Sequence, residues 1–223
     1  MSGCNTLAKL AAVPLLIFAA SPAPVAANAD SQRFTILRDG TEVGVHEVRR
    51  ETVAGQIRVD SSSRIDVRLL GLNLYRFRYQ SREVWDDQGL LSLEVDVDDG
   101  GEPFNLSGER VSGRFEWTSD LEDGKHPLPL FPTNHWNPEV LEQDAVLNTL
   151  TGSLNRVRIE PRGREMLQLP SAQVPATRYQ YQGELRLDSW YDAAGRWLGM
   201  RFEGRDGSTI EYLCSSCDAK VAM

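Results

Sequence analysis

Hydrophobic and polar side chains alternate over most of the chain, as they do in β-strands that bury one face of a sheet. Residues 65–69 read Ile-Asp-Val-Arg-Leu, and residues 91–98 alternate leucine or valine with serine, glutamate or aspartate. Between them, Tyr75, Phe77 and Tyr79 occupy one face of a third run, with Arg76 and Arg78 on the other face. The pattern predicts antiparallel strands with one wet face.

Turn signals separate these runs. Asp39-Gly40 lies between two β-patterned segments and favours a hairpin, because glycine adopts positive φ at little cost. Residues 81–100 and 185–214 share an order of parts: a tryptophan, an Asp-containing turn ending in Gly, a leucine-bearing strand and a second Asp-Gly turn. We therefore expect a mainly all-β protein, built as a single curved antiparallel meander sheet or an unclosed β-barrel.

The alternation stops at about residues 120–151, which contain four prolines. Asn137 followed by Pro138 fits a helix N-cap with proline at the first helical position. We expect one short amphipathic helix or two helical turns in this Pro-rich insert. In a meander, such an insert usually covers an open end or edge of the sheet.

The N-terminal residues have the layout of a secretory signal peptide. Lys9 precedes an apolar run over residues 10–20, and Ala27-Asn28-Ala29 fits a cleavage site. The run is far shorter than the ~20 residues that span a bilayer. We therefore expect a signal peptide over residues 1–29, cleaved near Ala29, and a single β domain over residues 30–223. The protein is expected in the periplasm or secreted, and not membrane-spanning.

Charge narrows the range of partners. The formal net charge of the whole chain is −8, and residues 1–29 hold Lys9 but no acidic residue. An acidic surface disfavours nucleic acid and anionic membranes as main partners. No nucleic-acid partner is expected.

Cys214 and Cys217 are the two cysteines of the expected mature chain. In an oxidising compartment a disulfide is the favoured state. Four extended residues would hold the two Cα atoms about 10 Å apart, so a bond requires a turn at the intervening serines. A redox-active pair, a metal ligand pair and unpaired thiols remain alternatives.

Catalytic and metal motifs are missing from the sequence. The carboxylate run Glu94, Asp96, Asp98 and Asp99 fails as a calcium loop, because Asp99 occupies the position that requires glycine. Two cysteines alone do not make a zinc site. There is no Gly-x-Ser-x-Gly or His-Glu-x-x-His motif. We expect no metal, no cofactor and no assigned catalytic residue.

The aromatic side chains have two interpretations: the core of a curved sheet, or the wall of an apolar cavity. The insert would then be the lid of that cavity. The candidate ligand-binding residues on this second interpretation are Tyr75, Phe77, Tyr79, His135, Trp136, Asn137, Tyr179 and Trp190.

The chain resembles an uncharacterised exported bacterial family, domain of unknown function 6134, over about residues 34–213. The matching stretches are FTILRDGTEVGVHEV, LLGLNLYRFRYQSREVWDDQGLLSL, NHWNPEVL, LNTLTG, RYQYQGELRLDSWYDAAGRWLGMRF and DGSTIEYL. The resemblance implies a secreted all-β protein and brings no established activity. The chain is more loosely similar to domain of unknown function 3108 and to the unclosed β-barrels of envelope lipoprotein carriers, which hold acyl chains under closing helices.

Three functions follow as hypotheses. The first is a non-catalytic periplasmic protein that binds an apolar, lipid-like small molecule or an envelope protein. The second is an envelope hydrolase with a site in residues 126–149, near His135, Asn137 and Asp144, which would require a carboxylate beside His135. The third is a structural partner in an envelope assembly.

Overall fold

The computed structural model describes residues 28–69 and 72–217, which form one antiparallel sheet of 14 strands. The strands are β1 (Asn28–Arg38), β2 (Thr41–Val53), β3 (Gln56–Leu69), β4 (Leu72–Asp86), β5 (Gly89–Asp99), β6 (Glu102–Val111), β7 (Arg114–Ser119), β8 (Gly124–Pro127), β9 (Ala145–Leu147), β10 (Leu154–Gln168), β11 (Gln173–Gly183), β12 (Leu187–Tyr191), β13 (Trp197–Glu203) and β14 (Thr209–Ser216). The predicted all-β antiparallel architecture is confirmed. Most of the predicted signal peptide lies outside the described residues.

Strand order follows the chain in both directions from a central pair. β1 pairs with β14, β2 to β8 extend the sheet on one side, and β13 to β9 extend it on the other. Neighbouring strands are therefore joined by hairpins, apart from the β1–β14 pair. The Asp39-Gly40 turn adopts the positive φ angles, 49° and 79°, that its sequence favours.

The sheet curves so that one face becomes the interior. On β5, Leu93, Val95 and Val97 are buried while Glu94 and Asp96 are exposed. Residues 130–136 touch both β4 and β11, which are seven positions apart in the sheet order. In a flat sheet those strands would be about 34 Å apart, so the sheet must wrap around this segment.

The Pro-rich insert is less simple than its pattern indicated. It contains a single five-residue 3₁₀ helix, Pro138–Glu142, capped by Asn137 as expected. It also supplies β8 and β9, the two edge strands of the sheet, which the sequence pattern did not predict. Residues 130–136 between them run through the interior, where all but Thr133 are buried. The insert therefore fills the curved sheet rather than only covering an end of it. We call residues 130–136 the interior segment.

The two ends of the sheet meet without pairing. On β7, the Trp117 indole donates a hydrogen bond to the Gly152 carbonyl at 2.7 Å. Nearby, the Ser153 hydroxyl donates to Glu122 at 2.9 Å. Strands β8 and β9 form no ladder with each other, so the sheet stays open and side-chain contacts hold this seam.

A β-bulge on β14 brings the two cysteines together. Phe34 of β1 pairs with Cys214 and Arg33 pairs with Ser216, so Ser215 is the extra residue. The bulge shortens the distance between the Cys214 and Cys217 Cα atoms to 5.9 Å, and the two residues form a disulfide. This bulge supplies the turn that the spacing required.

Candidate functional site

A buried carboxyl group on β4 is the centre of the interior. Glu83 is 1% exposed. One of its oxygens accepts hydrogen bonds from the indole N–H groups of Trp85 and Trp136, at 2.7 and 2.9 Å. The other accepts one from the side-chain amide of Asn134. Trp136 and Asn134 belong to the interior segment, so this one carboxyl group fastens that segment to the sheet.

Burial dominates the electrostatics of Glu83. Removal of the carboxyl from water disfavours its charged form and raises the pKa of Glu83, while the three N–H donors act in the opposite direction. An ionised or neutral carboxyl needs these partners, because a buried polar atom without a hydrogen bond is costly.

Further polar contacts extend from this carboxyl group. The Tyr79 hydroxyl donates to Asn134 Oδ1 at 2.6 Å and lies 3.1 Å from the Thr149 hydroxyl. The Asn134 amide also donates to Ser81 at 3.1 Å, and Thr149 lies 3.0 Å from Thr133. Alternation along β4 puts Tyr79, Ser81 and Glu83 on the same face, so one strand presents three polar groups to the interior.

On the other side of the interior, the segment contacts β11 to β13. The His135 backbone has a φ of 58°, and its carbonyl accepts the Tyr191 hydroxyl at 2.9 Å. The His135 ring lies 3.5 Å from the Tyr181 hydroxyl and packs 5.7 Å from the Trp197 ring, centroid to centroid. Desolvation lowers the pKa of His135 to about 4, so the ring is neutral near pH 7.

A second histidine lies on the sheet wall. His46 of β2 is buried, with Nδ1 2.8 Å from the Ser63 hydroxyl of β3. Its ring packs against Phe34 and Trp197, each at 5.7 Å between centroids. Desolvation, followed by proximity to His135, lowers the pKa of His46 to about 3. Both histidines are therefore uncharged groups in an aromatic environment.

Three buried polar atoms on β1 to β3 have no hydrogen-bond partner among the described residues: Gln32 Oε1, His46 Nε2 and Ser61 Oγ. Their residues are 4%, 5% and 2% exposed. Gln32 and Ser61 both pair with Val48 of β2, and His46 is two residues from Val48, so all three share the inner face. They form a small patch of unsatisfied hydrogen-bonding capacity, which we call the inner polar patch.

Some residues proposed from the sequence as ligand contacts meet in this interior. Tyr79, His135 and Trp136 lie around the interior segment, bonded to the chain itself. Asn137 has another role, because its side chain accepts the Glu139 backbone N–H and caps the 3₁₀ helix. Tyr179 is half-buried and packs edge-on against Tyr191.

Of the remaining three proposed contacts, Tyr75 and Phe77 share the face of β4 that carries Tyr79, whereas Trp190 lies on the outer face of the sheet. Tyr75 is 39% exposed, and its hydroxyl donates to Asp99 at 2.6 Å. Phe77 is partly buried against the core. Trp190 pairs with Arg178 and so lies on the opposite face of the sheet from Tyr179. There its indole donates to Glu165 at 2.6 Å, and the Arg201 guanidinium covers the ring.

The hydrolase hypothesis required a carboxylate next to His135. In the described part of the chain the hydrogen-bond partner of the His135 ring is the Tyr181 hydroxyl. Asp144 is exposed and Asn137 is engaged as a cap, so the three proposed residues do not come together. The arrangement that would activate a nucleophile is not formed around His135.

Sequence reasoning missed Glu83, Asn134 and Gln32. A signal for Glu83 was present, because it follows Tyr79 and Ser81 at alternate positions and must share their inner face. Asn134 gave no such signal, since it lies in an irregular segment whose path depends on the whole sheet.

Residues 28–69 and 72–217 contain neither a metal-binding cluster nor a membrane-spanning helix. No group of three or more His, Cys, Asp or Glu side chains there is placed to hold a metal ion. Nor does any helix in these residues have the length and apolarity to cross a bilayer.

A groove of about 810 Å³ lies over β11 to β13, lined largely by polar side chains such as Gln180, Asp188 and Arg201. Such a lining does not suit an apolar ligand.

Comparison with known proteins gives a family and a fold. The family described as "Domain of unknown function (DUF6134)" matches residues 34–215. No curated protein matches the chain. Among solved structures, the chain is similar to a beta-barrel-like protein of domain of unknown function DUF1849 from Brucella abortus, with a TM-score of 0.57 and 10% sequence identity. The alignment covers 86% of this chain and 97% of that one, and at this identity it shows the fold alone.

Proposed function

The chain belongs to the domain of unknown function 6134 family, and we propose that it is an exported, non-catalytic binding protein that holds a lipid-like molecule inside its barrel-like sheet. The ligand takes the place of the interior segment, which moves aside when the ligand enters. The compartment in this proposal rests on the signal-like residues 1–29.

One observation carries the proposal: the interior segment fills the sheet as a bound molecule would. Phe131 stacks 5.3 Å from Trp85 on β4, and Trp136 meets the same ring edge-on at 5.6 Å. Aromatic walls of this kind suit an apolar guest.

The way the segment is attached supports its release. Its backbone–backbone hydrogen bonds outside itself go to Leu147, which accepts from Thr133 and donates to Phe131. Among the described residues, the segment reaches β4 and β11 to β13 through bonds that each involve a side chain, including the Tyr191 hydroxyl on the His135 carbonyl, and it forms no backbone ladder with these strands. Side-chain contacts can be exchanged for ligand contacts while every strand of the sheet remains paired.

The first experiment is binding of the dye N-phenyl-1-naphthylamine, which fluoresces in apolar surroundings. If segment and dye compete for one space, weakening the segment raises the apparent affinity for the dye. Trp136→Ala should therefore bind the dye at least several-fold more tightly than the wild type.

Trp190→Ala is the matched control. Both tryptophans are buried and donate to a glutamate, but Trp190 lies on the outer face. Equal dye binding by the two variants would indicate general loosening and contradict the proposal. Absence of dye binding by any form, together with no ligand in native mass spectra of protein purified from the periplasm, would overturn it.

A further inference from the structure

The wall beneath the interior segment is not uniformly apolar, and this restricts the ligand. Where Asn134 now lies, the sheet presents the Tyr79 hydroxyl, the Ser81 hydroxyl and the Glu83 carboxyl. A plain hydrocarbon that displaced Asn134 would remove the hydrogen bond that each of these groups makes to the Asn134 side chain, and the loss of a partner is costly for a buried polar group. A ligand with polar atoms at one end avoids that loss.

The inner polar patch shows what kind of polar atoms are required. Gln32 Nε2 donates to the Trp197 carbonyl at 3.1 Å. That carbonyl can only accept, so it fixes the orientation of the amide and leaves Gln32 Oε1 as an acceptor without a partner. The group that satisfies Gln32 must therefore donate a hydrogen bond.

His46 and Ser61 are the other two residues of the inner polar patch, and both have hydrogen-bonding capacity that no partner uses. A neutral imidazole has one N–H and one lone pair, and Nδ1 is occupied by the Ser63 hydroxyl. The other nitrogen, Nε2, is free, and the Ser61 hydroxyl can both donate and accept. A hydroxyl group, which also donates and accepts, matches these three partners.

Charge argues for a neutral head group. The buried polar and charged residues of the described chain include no arginine or lysine, so an anionic head would enter without a cationic partner. Arg50, which approaches the Trp136 ring, is already paired with Asp30. The surroundings of His46 are aromatic, with Phe34, Trp197 and Tyr212 rings within 5.7 Å, which suits the hydrocarbon that follows the head.

We propose that the ligand is a neutral amphiphile whose hydroxyl-bearing head binds at Gln32, His46 and Ser61 while its hydrocarbon chain occupies the aromatic interior. This inference rests on the proposed function, because the hydrocarbon chain of the ligand can bind only where it displaces the interior segment. It adds the chemical class of the ligand and the residues that select it.

The test compares two probes with the same hydrocarbon chain, both displacing N-phenyl-1-naphthylamine. Monoolein carries hydroxyl donors, whereas methyl oleate has ester acceptors only. Wild-type protein should bind monoolein about tenfold more tightly than methyl oleate, as one or two additional hydrogen bonds would produce. Ser61→Ala should remove most of that difference in affinity.

Ser62→Ala is the matched control, because Ser62 is on the same strand but faces away from the interior. Gln32→Met is a second test, because it keeps the length of the side chain and removes the unpaired acceptor. The inference would be overturned by equal affinity for the two probes or by tighter binding of oleic acid or oleylamine than of monoolein. A crystal structure with only ordered water at Ser61 would also overturn it. Dye binding that persists through these outcomes would leave the proposed function standing, whereas no binding of dye or probe would remove both.

Discussion

At the scale of single residues, the interior departs from an ordinary hydrophobic core. Glu83, His46 and His135 are each at least 95% buried, and a core built only for stability would place apolar side chains there. Burial shifts the pKa of each group toward its neutral form. The two neutral imidazoles and the buried carboxyl keep their hydrogen-bonding capacity, which a binding site can use.

The buried His135 should make the protein acid-sensitive. Its pKa is about 4 in the fold and about 6.5 in an unfolded chain, so below pH 6.5 the unfolded state takes up the proton first. The free energy of unfolding should therefore fall with pH by about 1.4 kcal/mol per unit for this residue, down to about pH 4. His135→Asn, which tolerates the positive φ, should lose this contribution.

Urea denaturation of the wild type and His135→Asn between pH 7 and 4 measures the difference directly. Subtraction removes the contributions of groups that behave alike in both proteins, and His46 adds to the difference because proximity to His135 lowers its pKa. His126→Asn, on the edge strand β8, serves as the control variant. If the free energy of unfolding of the wild type and of His135→Asn changed with pH in parallel, the result would contradict the burial of this ring.

At the scale of elements, the interior segment is an irregular stretch held by polar anchors. Asn134 contacts three side chains of β4, namely Tyr79, Ser81 and Glu83. No other position of the segment contacts three polar groups on one strand in the described structure. Its attachment therefore depends strongly on one amide.

Asn134→Ala should destabilise the protein by about 2–4 kcal/mol, because it breaks the buried hydrogen bonds to Tyr79, Ser81 and Glu83. Asn137→Ala, three residues on, removes only a helix cap and should cost about 1 kcal/mol. Chemical denaturation of both variants gives the comparison. Equal losses would show that the segment is held by apolar packing instead.

The strands were predictable because their information is local. Alternation along residues 91–98 predicts a strand, and the Asp39-Gly40 turn predicts a hairpin. Neither prediction depends on the rest of the chain. A turn at the two serines followed from geometry on the condition that Cys214 and Cys217 are bonded, and a β-bulge at Ser215 forms it. The path of Asn134 was not predictable, because it depends on contacts with strands about fifty residues or more away in sequence.

The same limit applies to the candidate ligand contacts. Trp190 was grouped with Tyr179 by residue type, although alternation and register put the two side chains on opposite faces. Glu83 was missed because a glutamate in a strand usually faces water. The fold was therefore easier to derive than the interior, which combines residues from both halves of the sheet.

At the scale of the whole molecule, the seam decides how firmly the sheet encloses its interior. The last strands on each side belong to the insert, and Trp117, Gly152, Ser153 and Glu122 link the two ends. An open sheet that closes by side chains can widen more easily than a closed barrel, in which a strand ladder would have to break. Such a seam is compatible with entry of a ligand between β8 and β9.

Gly152 is the residue that this closure depends on most. Its φ is 75°, and a methyl group added there would lie 2.3 Å from Ser119 Oγ and 3.0 Å from its Cβ. Gly40 has a nearly equal φ of 79° but nothing within 4 Å of such a methyl group. Gly40→Ala therefore reports backbone strain alone, whereas Gly152→Ala adds a clash across the seam.

Gly152→Ala should lower the free energy of unfolding by about 1–3 kcal/mol more than Gly40→Ala does, as overpacking typically does. It should also speed amide hydrogen exchange in β8 and β9, because those strands lose the contact that holds them together. If ligand enters through the seam, dye association should be faster in this variant and unchanged in Gly40→Ala. Equal stability and equal hydrogen exchange in the two variants would mean that the seam does not depend on this contact. The ligand would then have to enter at an open end of the barrel-like sheet instead of through the seam.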